Sequence, residues 1–253
     1  VPGCNRRYLE KAKSLRVDSV ILDLGDPILI EAKEQSRENV VEFLSNKSYG
    51  NREVVVRVND LDSPWGNEDI QAVAGLNPDA VLFPNIESKD HVIEAISALD
   101  NAGGSDVPVM VMIESPLAVL HAEEIASASD RIVCMVMATS DLTSQMSARV
   151  THDRTALLTS FSLVILAARA YGRGVIDGIH SKLNDTNAFE YACRLGRDMG
   201  FDGKSLVHPD QLPYANDAYT PKYSEIAYAE KIIKGLKRLM RLGEEPWSST
   251  NDS

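Results

Sequence analysis

The sequence predicts an α/β fold, a (β/α)8 barrel, and three observations predict it. Short β-branched runs alternate with helical patterns along most of the 253 residues. The runs are continuously apolar, as strands of a parallel sheet covered by helices are. Strand–helix repetition over this length suits a barrel closed as one domain.

The elements follow in chain order. "NRRYLEKAKSLR", 5–16, reads as a short helix capped by Asn5, with Tyr8, Leu9, Ala12 and Leu15 on its apolar face. Strands are expected at 17–24, 53–58, 80–84, 107–113, 132–138, 174–179 and 204–207. Between them, helices are expected at 31–45, 67–75, 88–101, 117–128, 153–171 and 186–200. The clearest, "DRTALLTSFSLVILAARAYG", ends in a glycine that can cap it. A barrel needs one strand more than these seven. The chain opens at "VPG", where a first strand should be finishing, so most of that strand is expected upstream of Val1. A doubly wound open sheet is the rival, and no glycine-rich dinucleotide fingerprint supports it. The tail "EEPWSSTNDS" is polar and expected to fray.

Composition narrows the function. At 44% hydrophobic and 25% charged residues, the chain has the make-up of an ordinary globular protein. No apolar run approaches the ~20 residues of a membrane helix, and no signal-peptide pattern is present. The three widely spaced cysteines, Cys4, Cys134 and Cys193, give no zinc pattern and suggest free thiols in a reducing, cytoplasmic setting. A formal charge of −11 argues against nucleic acid as a partner. An anionic ligand would then need a local cationic patch. The first helix offers one, because Arg7 and Lys11 lie four apart on one face, with Arg6 and Lys13 nearby. Such a face is more often merely solvated, although basic residues after a Pro-Gly turn also suit a phosphate-bearing ligand.

In a barrel the C-terminal ends of the strands carry the chemistry. Read along the chain, those ends bear Asp23, Asp26, Arg57, Asn85, Glu87, Glu114, Asp141, Asp177 and His208. This is an acidic mouth with one arginine. Carboxylates without Cys or His partners favour a hard cation such as Mg²⁺, which takes one or two protein carboxylates and leaves positions for substrate. Arg57 can pair bidentately with a substrate carboxylate. Asp23 and Asp26 also suit turn caps, Asp177 a strand-end ion pair, and His208 a satisfied core position. The coincidence of Arg57, Glu114 and Asp141 at three separate strand ends favours function for those three, and structure or support for Asp177 and His208.

Six stretches, "VPGCNRRYLEKAKSL", "VILDLGDPILIEAK", "VVVRVNDLDSPWG", "IESPLAVLHAEEIA", "MATSDLTSQMSA" and "GFDGKSLVHPDQL", occur in order from residue 1 to about 221. On them the chain resembles the HpcH/HpaI aldolase and citrate lyase β-subunit superfamily, in its CitE-like malyl-CoA and citramalyl-CoA lyase branch. The resemblance implies a cytoplasmic, Mg²⁺-dependent barrel that cleaves or forms a carbon–carbon bond next to a CoA thioester. It implies Glu114 and Asp141 as metal ligands, Arg57 as the substrate-carboxylate clamp, and Arg7 and Lys11 as basic contacts to the CoA ligand. It further implies a homo-oligomer, a trimer or hexamer, with a barrel over 1–221 and the C-terminal helix and tail, 222–253, as the remnant of a lid.

The chain departs from that family pattern in four places. Gly25 stands where the family usually has Glu, and Asn85 where it usually has lysine. An aromatic residue before "VPG" and the acidic lid segment that completes a neighbouring subunit's site do not occur in the sequence. Glu244 and Glu245 are too weakly placed to replace the latter. Two rivals therefore stand beside the lyase: a free-acid aldolase cleaving 4-hydroxy-2-oxo acids, and a non-catalytic protein that binds CoA esters.

Overall fold

Seven parallel strands, hydrogen-bonded in strict chain order, form one sheet that curls into a half-barrel. The strands are β1 (Ser19–Asp23), β2 (Glu53–Arg57), β3 (Ala80–Phe83), β4 (Val109–Ile113), β5 (Ile132–Met137), β6 (Gly174–Asp177) and β7 (Gly203–Lys204). The computed structural model describes residues 1–25, 28–46 and 49–242. Asp26, Glu244, Glu245 and the tail therefore lie outside the described residues.

Between the strands run α2 (Lys33–Ser45), α3 (Gly66–Val73), α4 (Lys89–Asn101), α5 (Pro116–Leu120), α6 (Ala122–Ser127), α7 (Thr139–Gln145), α8 (Leu158–Ala170) and α9 (Thr186–Met199). The chain starts with α1 (Arg6–Ala12), and α10 (Leu212–Tyr219) and α11 (Tyr223–Leu242) follow the last strand. Because every crossover is a helix, all strand C-termini share one rim. The continuous apolar strands have the expected consequence. Val56, Val81, Val111 and Met135 pack outward with the helices, while Val55, Leu82, Met110, Met112 and Val136 form a second apolar cluster on the opposite face.

Residues 1–3 extend this sheet beyond β1. The Asp23 amide donates to Val1 O at 2.9 Å and the Gly3 amide to Asp23 O at 2.8 Å, with Pro2 bridging Asp23 in parallel. The start of the chain thus lies on the side of β1 opposite β2, and α1 begins at the rim. Asn5 caps α1 as expected, its side chain accepting the Tyr8 amide at 3.1 Å. Gly172, with φ +66°, follows the C-cap of α8 and supplies the left-handed residue a helix end needs.

Four expectations need correction. Tyr8 is half exposed, so the buried face of α1 is Leu9 and Ala12. The stretch 117–128 is two helices, because the chain turns at His121, whose ring Nδ1 donates to Glu87 O at 2.8 Å. The helix placed at 153–171 starts at Leu158, after a 3₁₀ turn at Thr155–Leu157. The last strand is two residues, not four, and ends where Lys204 turns inward to Asp177.

Candidate active site

Arg57 is the last residue of β2 and the register partner of Asp23, the last of β1. Its Nε donates to Asp23 Oδ1 at 2.7 Å, and both side chains are largely covered. One guanidinium nitrogen reaches Met112 Sδ on β4, 3.8 Å away, across the sheet's inner face. Glu114 stands two residues beyond Met112, directly after the end of β4. It is only 8% exposed, and local sequence explains its fixed position. Ser115 caps α5 by accepting the Ala118 amide at 3.1 Å, and Pro116 fills the first helical position.

Asp141 follows the neighbouring strand, since Ile113 and Met137 are register partners at the ends of β4 and β5. It lies exposed in the first turn of α7, a helix not among those expected from the sequence. That turn is anchored by buried Thr139 and by the Thr143 hydroxyl, which donates to Thr139 O at 2.7 Å. Arg57, Glu114 and Asp141 therefore share one rim. Among the described residues no cluster of three or more His, Cys, Asp or Glu side chains is spaced to hold a metal. A pair of carboxylates, one buried and one open to solvent, is nevertheless the donor set that suits Mg²⁺, which keeps most of its positions for water and substrate.

The basic residues of α1 divide in two. Arg6 is bound to Glu42 and Asn39, and Lys13 to Glu10. Arg7 and Lys11 are exposed and make no ion pair or side-chain hydrogen bond with any described residue. They remain open to an anion near the rim.

Asn85 has left-handed φ, +54°, a conformation asparagine tolerates well, and its amide donates to Asp60 Oδ2 at 2.5 Å. Glu87 contributes its backbone, carbonyl to His121 and amide to His91. His208 is an exposed cap rather than a core histidine, accepting the Asp210 amide at 3.2 Å. Asp177 is fully buried and held by Arg154 at 2.6–2.7 Å and by Lys204 at 2.6 Å. Burial alone would raise its carboxyl, but Lys204 and then Arg154 hold it below the usual aspartate range. It supports the sheet.

Sequence reasoning missed those two partners of Asp177, and it missed Lys33. The Lys33 ammonium is buried and donates to Leu24 O at 3.0 Å, Gly25 O at 2.8 Å and Asn59 Oδ1 at 2.6 Å. A lysine opening an otherwise ordinary helix carries no periodicity signal. Only its position eight residues after a strand-end glycine could have raised it.

Comparison with known proteins gives the family and the fold. The HpcH/HpaI aldolase/citrate lyase family profile matches residues 1–209. A (3S)-malyl-CoA thioesterase of Cereibacter sphaeroides is 39% identical over 244 residues, covering 96% of this chain and 84% of that protein. The citrate lyase β subunit of Leuconostoc mesenteroides subsp. cremoris is 34% identical over 249 residues, covering 96% and 82%. The structure of CitE from Mycobacterium tuberculosis in complex with magnesium, acetoacetate and coenzyme A superposes with a TM-score of 0.77. It is 27% identical, with 94% of this chain and 85% of that one covered.

Proposed function

The chain belongs to the HpcH/HpaI aldolase/citrate lyase family, and from that premise we propose that it is a Mg²⁺-dependent carbon–carbon lyase of 3-hydroxyacyl-CoA thioesters. Malyl-CoA, citramalyl-CoA or a close relative would be split into acetyl-CoA and a 2-oxo acid. The observation that carries the reading is the shared rim of Arg57, Glu114 and Asp141, with Arg57 reaching across the inner face to Met112 beside Glu114. The magnesium and coenzyme A bound by the M. tuberculosis relative support it.

In this reading Glu114 and Asp141 hold the metal. When bound, Mg²⁺ would withdraw charge from the oxo-acid side of the breaking bond. Arg57, fixed by Asp23, orients the acid's carboxylate so that the scissile bond faces the rim. In the cleavage direction the 3-hydroxyl gives up its proton and becomes the carbonyl of the oxo acid. The bonding pair stays with the α-carbon of the thioester, which then takes a proton and leaves as acetyl-CoA. Arg7 and Lys11 would meet the CoA phosphates as exposed cations, unneutralised within the described chain. Residues 1–221 would form the barrel, and the C-terminal helix and tail, 222–253, the remnant of a lid packed on a second copy. A reducing, cytoplasmic setting suits the three free thiols.

A second reading is hydrolysis of the same thioester, favoured by the thioesterase among the relatives at 39% identity. Water would then add to the thioester carbonyl and expel the CoA thiol. Product analysis tests both. With malyl-CoA and Mg²⁺, acetyl-CoA and glyoxylate without free thiol support the lyase. Malate with one equivalent of free thiol supports hydrolysis. No turnover of either kind in a chain that binds the thioester would overturn both.

A further inference from the structure

We propose that Lys33 is a positioning residue for Arg57: its ammonium fixes the one peptide plane that aims Asp23 at the guanidinium. Lys33 opens α2 and is only 6% exposed. Burying an ammonium costs folding free energy unless its three N–H groups find acceptors. Here they find Leu24 O at 3.0 Å, Gly25 O at 2.8 Å and Asn59 Oδ1 at 2.6 Å. Leu24 and Gly25 follow the end of β1, and Asn59 lies just past the end of β2. One buried cation therefore ties together the two strand ends that carry Asp23 and Arg57.

The Leu24 carbonyl and the Gly25 amide belong to the same peptide group. That group is planar and trans, so its C=O and N–H point in opposite directions and turn together. Lys33 grips the carbonyl, and Asn59 Nδ2 grips it again at 2.8 Å. The N–H is thereby aimed at Asp23 Oδ1, which it meets at 2.8 Å, and the same oxygen accepts Arg57 Nε at 2.7 Å. The grip is itself braced. Asp69 accepts the Asn59 side-chain amide at 2.6 Å and its backbone amide at 3.0 Å, and Arg37 of α2 donates to Asp69 at 2.8 Å. Residue 25 takes part through its backbone alone, so the device is indifferent to the side chain there, as it must be in a family that usually carries Glu at that position. Without the Lys33 ammonium the peptide plane is free to turn. Asp23 then loses the N–H that orients its carboxylate, and the guanidinium loses its fixed partner.

The inference rests on the reading of Arg57 as the clamp, and two readouts separate them. The first is exchange of the Arg57 Nε–H with water, followed by NMR and assigned by its disappearance in R57K. The second is calorimetric titration of pyruvate with MgCl₂. Both are applied to the wild type, K33M, N59A, R57K and V92A, with thermal melts reporting folding. Val92 is fully buried on α4, away from the network, so V92A lowers stability alone. In K33M the Nε–H is expected to exchange about tenfold faster. Pyruvate should bind about tenfold to 100-fold more weakly, as ångström-scale misplacement does. N59A, which removes one of the two grips on the Leu24 carbonyl, should move both readouts the same way by less, and V92A should move neither. A folded K33M in which either readout keeps its wild-type value overturns the role of Lys33, and so do equal changes in V92A. If K33M does not fold, N59A decides by the same criteria; if neither folds, Lys33 serves the fold alone and the proposal falls. Unchanged pyruvate binding in R57K overturns the clamp, and the inference with it.

Discussion

Arg57 and Asp23 end adjacent parallel strands as register partners, and a 2.7 Å hydrogen bond joins Nε to Oδ1. The pairing uses the inner edge of the guanidinium. It leaves Nη1 directed across the sheet toward Met112, where a carboxylate between the strands would meet it. The rim therefore holds an oriented cation rather than a mobile one.

Arg57→Lys keeps the charge and loses the planar fork. Bidentate recognition cannot be rebuilt from an ammonium, so KM for the oxo acid in the condensation direction is expected to rise on the order of tenfold or more, with kcat/KM falling at least as far. Steady-state kinetics at saturating acetyl-CoA reads the split. A variant with wild-type KM would remove Arg57 from the site.

Glu114 and Asp141 make a prediction that needs no substrate. A ligand that binds only the folded chain raises its stability, by about 2.7 kcal/mol when present at 100 times its Kd. Millimolar MgCl₂ is expected to raise the wild-type Tm, EDTA to reverse the rise, and Glu114→Gln or Asp141→Asn to abolish it. The two variants should differ without metal. Glu114 is buried and Asp141 exposed, so the glutamate change perturbs the bare fold more. A persistent Mg²⁺ shift in both variants would place the ion elsewhere.

Parallel strands buried on both faces are written plainly in runs such as "VMVMI" and "IVCMVM", and the first six strands are legible from such runs, whereas the last, Gly203–Lys204, carries none. The rim was legible for the same reason, because a charge that ends an apolar run stands out. What the sequence hid is the set of pairings made at long range. Asp23 with Arg57 is a register relationship between residues 34 apart, and Asp177 with Lys204 links residues 27 apart. Helix α7 was hidden by "TSDLTSQ", whose Ser, Thr and Asp compete locally for the backbone. Its turn forms because Thr139, Leu142 and Thr143 are buried.

Arg7 and Lys11 predict a difference between two kinds of ligand. Reversing both to glutamate places two like charges before the phosphates of a CoA thioester. Binding of acetyl-CoA is expected to weaken about tenfold or more at low salt, and the deficit should narrow as screening shortens the reach of the field. Pyruvate affinity should not change. Titration of both ligands at two salt concentrations checks this, and equal losses for the two would remove the helix from CoA recognition.

Acid should expose the buried ions. Asp177 has a folded pKa below its ordinary value because Lys204 and Arg154 outweigh its burial. The unfolded chain then binds the proton more readily. Asp177's contribution is complete above the unfolded value of about 3.9 and is lost as pH falls through the folded one. His180 acts earlier. Its pKa is lowered by burial first and by nearby Lys204 next, and its Nε2 is buried with no hydrogen-bond partner among the described residues. Here too the unfolded chain holds more protons, so stability begins to fall below about pH 6.5. Melts in buffers from pH 7.5 to 2.5 should show Tm sliding from the upper value, and His180→Gln should flatten the upper limb while leaving any steeper loss below pH 4. Lys204→Met is the harsher change, since a fully buried Asp177 loses one of its two cations, at a cost of about 3–5 kcal/mol. It should also move the Asp177 acid loss to higher pH, because the carboxyl's pKa climbs once Lys204 no longer holds it down. An acid limb identical in wild type and both variants would mean that neither His180 nor the Arg154–Asp177–Lys204 cluster governs acid stability.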